Sequence, residues 1–312
     1  SKRCVTNSMK ISASISNSLK LMRANLMRTA LTLLGLVIGI MTVIIVFAAG
    51  EGIRGLVLGQ VESFGTDIVQ TETKVPSTKG NASDNAQANG VVVTTLTLDD
   101  LAAVEKLPNI TQGYGAVFTQ EQVSRGNELR RASVMGASAS YINIDAGSKV
   151  GTGRFYTDAE DRSLAMVAVI GQGIKDKLFG EEDPIGKTFR LRNERFTVIG
   201  VMASRGAVMF INFDDYIYIP VRTLQKKIMG TDYLAFMVHG MVNADDGDAT
   251  AEDIRYTLRE RHEITDPVKD DFRVTTMAES LATLDTITSA LTFLLLAIVT
   301  ISLVVGGVGI MN

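Results

Sequence analysis

Histidines, cysteines and clustered carboxylates are the side chains that most often bind metals or shuttle protons, and this chain holds few of them in useful spacing. Its two histidines, His239 and His262, stand 23 residues apart, with no cysteine or carboxylate pattern at metal-ligand spacing around them. Both are read as surface or packing residues. The acidic run at 243–253, NADDGDATAED, has a superficial calcium-loop character but lacks both the D-x-D-x-D-G spacing and the closing Glu. It is read as a solvated turn leading into a helix N-cap. Ser133, Ser138 and Ser140 lie in no G-x-S-x-G frame. No G-x-x-x-x-G-K-S/T phosphate loop occurs, so the chain is expected to bind no ATP itself. The expectation is a non-enzyme with no cofactor and no metal.

What the chain has instead is two charge-free stretches. Residues 29–50 and 286–312 are 22 and 27 residues without Asp, Glu, Lys, Arg or His. About 20 apolar residues in a helix cross the ~30 Å hydrocarbon core, so both are read as transmembrane helices. A cleaved signal peptide is the rival for the first, with Ala48-Ala49-Gly50 imitating a cleavage site. Such a peptide has a shorter apolar core of ~7–15 residues, which favours a retained anchor. The first 28 residues carry six basic residues and no acid, whereas all 34 acidic residues and 25 basic ones lie between 51 and 285. Basic flanks stay cytoplasmic. The N-terminus is therefore placed inside, residues 51–285 outside the membrane, and Asn312 back inside. No basic stripe interleaved with aromatics appears, which argues against nucleic acid. Cys4 is the only cysteine, so packing alone must hold the outer domain.

The organisation that follows is an interfacial amphipathic segment within 1–28 (Ile15, Leu19, Met22, Leu26), a first span at 29–50, an extracytoplasmic domain at 51–285 and a second span at 286–312. Apolar stripes leave the first span (Ile53, Val57, Val61, Phe64) and enter the second (Leu281, Leu284, Ile287, Leu291). They are expected to pair as a short stalk. Between them, Thr97 has the look of an N-cap, with Asp99 and Asp100 in the first helical turn. Gly126-Asn127 reads as a hairpin turn and Arg192-Asn193-Glu194 as another, while residues 76–90 read as a mobile loop. A β-α-β unit precedes, and a second follows, a β-rich insert at about 140–225. The fold class expected is thus a membrane protein with two transmembrane α-helices flanking an α+β extracytoplasmic domain of two lobes.

Gly35 and Gly39 in the first span, and Gly306 and Gly307 in the second, are small residues that let another helix backbone approach. They are candidates for helix packing, against the alternative that glycine is merely frequent in membrane helices.

Several strings resemble the permease of macrolide-exporter (MacB)-type ABC transporters, within the FtsX-like permease superfamily. They are LTLLGLVIG at 31–39 followed by Gly50-Glu51-Gly52, Gly153-Arg154-Phe155, Leu178-Phe179-Gly180, DPIGK at 183–187, FTVIGV at 196–201, Tyr218-Ile219-Pro220 and GGVGIMN at 306–312. Each alone is weak; in this order and spacing the set is specific and covers essentially the whole chain. The resemblance implies a ferredoxin-like porter lobe from the chain ends plus a smaller inserted β-rich lobe. It also implies that an ABC ATPase subunit or domain drives the helices as a homodimer or permease heterodimer, often with a periplasmic adaptor and an outer-membrane duct. On that reading Ile53, Val57, Leu281 and Leu284 serve stalk coupling. Phe210 and Phe213, in the loop at 203–214, are candidates for substrate or adaptor contact, against the plainer alternative of a loop packed on its own lobe. Family members have four spans, so the chain is read as a fragment ending at helix two. A two-span sensor or chemoreceptor shares this topology, and a lipoprotein-releasing permease would share the mechanism.

Overall fold

The computed structural model describes residues 26–62, 65, 67–76, 92–126, 128–208 and 211–311. The segment expected to be amphipathic before residue 26 and, apart from Pro76, the loop expected at 76–90 lie outside the described residues. The chain divides into two compact units, residues 1–56 with 283–312, and residues 57–282.

The first unit is built from α1 (Leu26–Glu62) and the last helix of the chain. Neither contains proline, so every interior N–H can reach a carbonyl four residues back, as an apolar surrounding demands.

The second unit carries one ten-stranded mixed sheet. Its elements in chain order begin with β1 (Ile68–Thr73), α2 (Leu98–Val104), β2 (Ile110–Arg125), β3 (Glu128–Ala137), α3 (Tyr141–Ile144) and β4 (Val150–Gly153). Then come α4 (Asp158–Arg162), β5 (Val167–Ile170), α5 (Gln172–Phe179), β6 (Thr188–Leu191), β7 (Glu194–Met202) and the small pair β8 (Ala207–Val208) and β9 (Ile211–Asn212). The series closes with β10 (Tyr216–Pro220), α6 (Val221–Thr223) running on as the π-helical turn Leu224–Met229, β11 (Phe236–Met241), α7 (Gly247–Arg261), β12 (Phe272–Thr276) and α8 (Met277–Met311).

The strand order is β12-β1-β11-β2-β3-β10-β5-β7-β4, with β6 pairing β2 and β7. Two βαβ units, β1-α2-β2 and β11-α7-β12, interleave in the first four strands, all antiparallel. The segment between them, including the stretch at about 140–225, extends the same sheet through β3, which pairs β10 in parallel.

Local chemistry explains the boundaries. Thr97 and Asp100 form a capping pair at α2, Thr97 N and Oγ1 donating to Asp100 Oδ2 at 2.8 and 2.7 Å. Gly126, with φ +57°, turns β2 into β3. β2 is longer than its hydrophobic pattern suggests, because Gly113 and Gly115 sit within it. A Cβ on Gly113 would lie 2.4 Å from the His239 ring, and one on Gly115 2.5 Å from Leu234. These glycines make room for covering side chains and do not end the strand. The elements of only two to five residues (α3, β4, α4, β8 and β9) are too short to show a period in the sequence.

Alternate residues of the central strands feed two cores. Val117, Ile217 and Ile219 join a mainly aliphatic layer with α2, α5, α6 and α7, whereas Tyr114, Met135 and Tyr218 face a tyrosine-rich layer with Tyr141, Phe155 and Tyr156. Gly153 fixes one edge of that layer: φ is +79°, and an added Cβ would lie 2.3 Å from the Ile199 carbonyl oxygen. Gly153→Ala is therefore expected to lower unfolding free energy by ~2 kcal/mol or more. Gly126→Ala, at φ +57° but in open space, is expected to cost only ~1 kcal/mol. Chemical denaturation of the full chain in detergent measures both, and equal losses would refute the steric account.

Candidate functional site

The candidate functional parts of this chain are a helix pair and the polar clusters of the sheet unit. In the helix pair, Gly39 is buried, and Val43, Val46 and Gly50 are half-buried on α1. On α8 the matching stripe is Leu284, Thr288, Thr292 and Leu295, half-buried, and Val299, 6% exposed. Both stripes step by three and four residues, the period of two helices packed side by side. A Cβ on Gly50 would meet Thr292 Oγ1 at 3.7 Å, and Arg54 pairs with Asp285 at 2.8 Å. Thr292 and Thr300 hydroxyls donate to carbonyls four residues back, which satisfies them within an apolar helix. The remaining surface is apolar and open: Ile44 and Phe293 are 63% and 76% exposed. The segment Met277–Ile301, with mean hydropathy 2.0, is long and apolar enough to cross a membrane, whereas the corresponding run in α1, Val37–Gly52, is shorter.

Leu281 and Leu284 are half-buried, as their stripe requires, but Ile287 and Leu291 are 52% and 57% exposed. The expected stripe drifts off the seam at that point, because the packed face follows a 3.5-residue period and passes through Thr288 and Thr292. The side chains of Ile53 and Val57 lie outside the described residues, as do Phe210 and the surroundings of Gly35, Gly306 and Gly307.

In the sheet unit, Arg205 joins distant segments. Its Nη1 donates to Asp145 Oδ1 at 2.9 Å, with the two side chains 10% and 3% exposed. Tyr141 and Ser148 hydroxyls meet at 2.7 Å beside it. Asp214 takes the Arg205 and Gly206 N–H groups and the Ser204 hydroxyl, at 2.9, 3.2 and 2.7 Å. Phe213 lies under the Arg205 guanidinium at 4.6 Å and stacks on Tyr216 at 5.9 Å between ring centres. The described residues of the loop at 203–214 include the pair β8 and β9, and Phe213 packs on Tyr216 of the loop's own sheet. Burial pushes the Asp145 carboxyl up against the opposing pull of Arg205, and burial raises the Tyr141 and Tyr218 hydroxyls well above their ordinary value.

A second cluster closes α2 on α7. Arg261 Nε donates to Asp100 Oδ1 at 2.6 Å, His262 Nδ1 stands 2.9 Å from Asp271 Oδ1, and His262 Nε2 lies 3.4 Å from Asp100 Oδ2. Arg259 grips Asp270 with two nitrogens, at 2.9 and 2.6 Å. The bonds to Asp100 and Asp271 raise His262 to about 9. Burial acts to raise Asp100, yet hydrogen bonds from His262, Arg261 and Thr97 outweigh it and hold the carboxyl well below the usual range. His262 is thus a half-buried ionic partner, against the surface-or-packing expectation. Only the folded contact with residues far back in the chain reveals this. His239 does pack in the core, fully buried, and burial lowers it to about 4. Among the described residues no group of three or more His, Cys, Asp or Glu is arranged to hold a metal.

Comparison with known proteins agrees with this architecture. Residues 29–255 match the family described as the MacB-like periplasmic core domain. The macrolide export ATP-binding/permease protein MacB of Azoarcus sp. is 31% identical over 95% of this chain and 43% of its own length. The pyoverdine export ATP-binding/permease protein PvdT of Pseudomonas syringae is 31% identical over 94% of this chain and 42% of its own. The chain thus spans less than half the length of these relatives. The crystal structure of the periplasmic region of MacB from Actinobacillus actinomycetemcomitans superposes with a TM-score of 0.60 at 19% identity, covering 73% of this chain and 97% of that one. The extracellular domain of the Gram-positive ABC-type transporter YknZ gives a TM-score of 0.54 at 19% identity, covering 67% of this chain and all of that one. The chain belongs to the MacB-like periplasmic core domain family.

The two histidines set opposite pH limbs. His239 titrates near 4 when folded and near 6.5 when unfolded, so the unfolded chain binds the proton first and stability falls as pH drops through that window. His262 titrates near 9 when folded, so its contribution is complete below 6.5 and is lost as pH rises toward 9. Asp100 and Asp271, both held low, act only at more acidic pH. Unfolding free energy is expected to peak near pH 6.5, with His239→Leu flattening the acid limb and His262→Gln the alkaline one. Denaturant midpoints between pH 5 and 9 check this, and limbs unchanged in the variants would refute it.

Proposed function

We propose that this chain is permease sequence of a MacB-type ABC exporter. Residues 29–50 and 286–312 cross the cell membrane and hold residues 51–285 on its outer side. An ATPase subunit or domain moves the helices, and the outer domain turns that motion into expulsion of antibiotic, peptide or lipid-like substrates. The chain contributes no ATP hydrolysis of its own. It works as a dimer, with a periplasmic adaptor and an exit duct where an outer membrane exists. The antiparallel order β12-β1-β11-β2, with its two interleaved βαβ units, supports reading the chain ends as a ferredoxin-like porter lobe.

The observation that carries this reading is the junction of β12 and α8. The strand ends at Thr276 and the helix begins at Met277, with no residue between them. Thr276 Oγ1 accepts the Glu279 N–H at 3.1 Å, which caps the helix at the strand's end. The entry to β12 is held by the Arg259–Asp270 and His262–Asp271 bonds. A strand clamped at one end and fused to a helix at the other is suited to passing force. Relatives named for macrolide and pyoverdine export support the substrate class.

Two expectations follow. In the transporter that carries this chain, inserting two glycines between Thr276 and Met277 should abolish most export while leaving the outer domain's denaturation midpoint unchanged. Normal export with the insertion would defeat the mechanical reading. In spheroplasts, a membrane-impermeant maleimide should label Tyr256→Cys on intact cells, since this side chain is 71% exposed, and Cys4 only after lysis. The reverse pattern would place residues 51–285 in the cytosol and end the proposal.

A further inference from the structure

One cleft of the sheet unit is unused by this reading. It has a volume of about 520 Å³ and lies between the first turn of α2, the end of α4 and the π-helical turn 224–229. Its charged lining is Arg162, Arg222, Lys226 and Lys227 against Asp99 and Asp232. That balance runs against its surroundings, since residues 51–285 hold 34 acidic and 25 basic side chains. Like charges gathered in one concavity repel one another and focus a positive potential on whatever enters.

The cations are not all spent internally. Lys226 pairs with Asp232, and Arg222 Nε lies 3.4 Å from Asp161 Oδ2. Arg162 and Lys227 have no ion-pair partner among the described residues, and they come from different walls.

The walls are braced from behind. Asp161, 7% exposed, also takes the Arg222 N–H at 3.0 Å and so ties α4 to α6. The buried Thr223 hydroxyl donates to Ala165 O at 3.2 Å. Gln225, 2% exposed, donates to Tyr233 O at 2.7 Å, and the Leu234 N–H reaches Leu96 O at 2.7 Å. Cations held on a braced frame lose little freedom when a ligand arrives. Two irregularities fall on this rim. Leu164 holds φ +55°, costly for a branched side chain, and residues 224–229 form a π-helix, a form enriched at functional sites. The volume is that of a small-molecule site.

We infer that this cleft binds a small polyanion through its carboxylate or phosphate groups, with Arg162 and Lys227 as the principal contacts and the outer nitrogens of Arg222 as a third. Leu98 and Leu164 supply an apolar wall, so the ligand carries a modest apolar part beside its charges. The guanidinium fork of Arg162 suits a planar carboxylate or a phosphate equally, and Lys227 acts as a point charge. This assignment stands apart from the export reading: it requires only the folded sheet unit.

The test is calorimetric titration of the full chain in detergent micelles with two probes, triglutamate and tripolyphosphate, at 50 and 150 mM salt. One saturable site is expected for at least one probe, weaker at the higher salt. A triglutamate preference identifies a carboxylate ligand and a tripolyphosphate preference a phosphate ligand. The double variant Arg162→Gln, Lys227→Gln should weaken binding at least about tenfold, the loss of roughly 1.4 kcal/mol. Arg162→Lys should retain part of it, and Arg130→Gln, at an exposed ion pair elsewhere, should change nothing. The substituted side chains are exposed, so denaturation midpoints should not move. The inference is overturned if neither probe saturates, if the double variant binds like the parent, or if Arg130→Gln weakens binding as much.

Discussion

The hairpin of β2 and β3 is the constraint on which the rest of the sheet unit depends. Their register runs unbroken from Ala116 opposite Ala137 to Arg125 opposite Glu128. β2 also carries β11 along one stretch and β6 at its far end, while β3 carries β10. The interleaved βαβ units and the inserted strands are thereby one ladder. Sliding one part against the other would break several backbone bonds at once, each worth ~1 kcal/mol net and more when its groups are left buried and unpaired. Glycine marks the places where this spine is covered most closely: Gly113 under His239, Gly115 under Leu234 and Gly136 under Leu224.

Charges complete what the ladder begins. The exposed pairs, such as Arg130 with Glu128, contribute little, since water and salt screen them. The buried ones matter differently. Removing one partner from a pair such as Arg205 and Asp145 leaves an unpaired charge out of water, a loss on the order of 3–5 kcal/mol. Such pairs therefore hold position more than they add stability. Arg205 holds the loop at 203–214 to the turn after α3, and Asp100, Arg261, His262 and Asp271 hold α2 against the start of β12. In the helix pair the logic is reversed. Its seam is narrow and contains small and hydroxyl side chains, while a broad apolar surface faces outward.

Much of this was legible locally. The charge-free run at 29–50 lies within α1 and most of that at 286–312 within α8, Thr97 caps α2, and β2 turns into β3 at Gly126, while the turn expected at 192–194 is one residue shorter, with Glu194 already in β7. Other features were not. Ile287 and Leu291 lie off the seam, because helical periodicity alone does not say which residue sits on it. Gly113 and Gly115 hid the start of β2, since glycine in a strand carries no apolar signal. The motifs shared with the exporter family marked the fold but none of the clusters that give it its charge.

The amino-acid sequence by itself determined the two apolar rods, the acidic α+β body between them and the family, because these reside in composition, in short-range period and in ordered motifs. Tertiary structure alone decided that the insert extends the same sheet, that Thr288 and Thr292 line the helix seam, and that four cations share one cleft. The reason is separation along the chain. Arg205 reaches Asp145 across 60 residues and Arg261 reaches Asp100 across 161, and contacts of that span leave no local pattern to read.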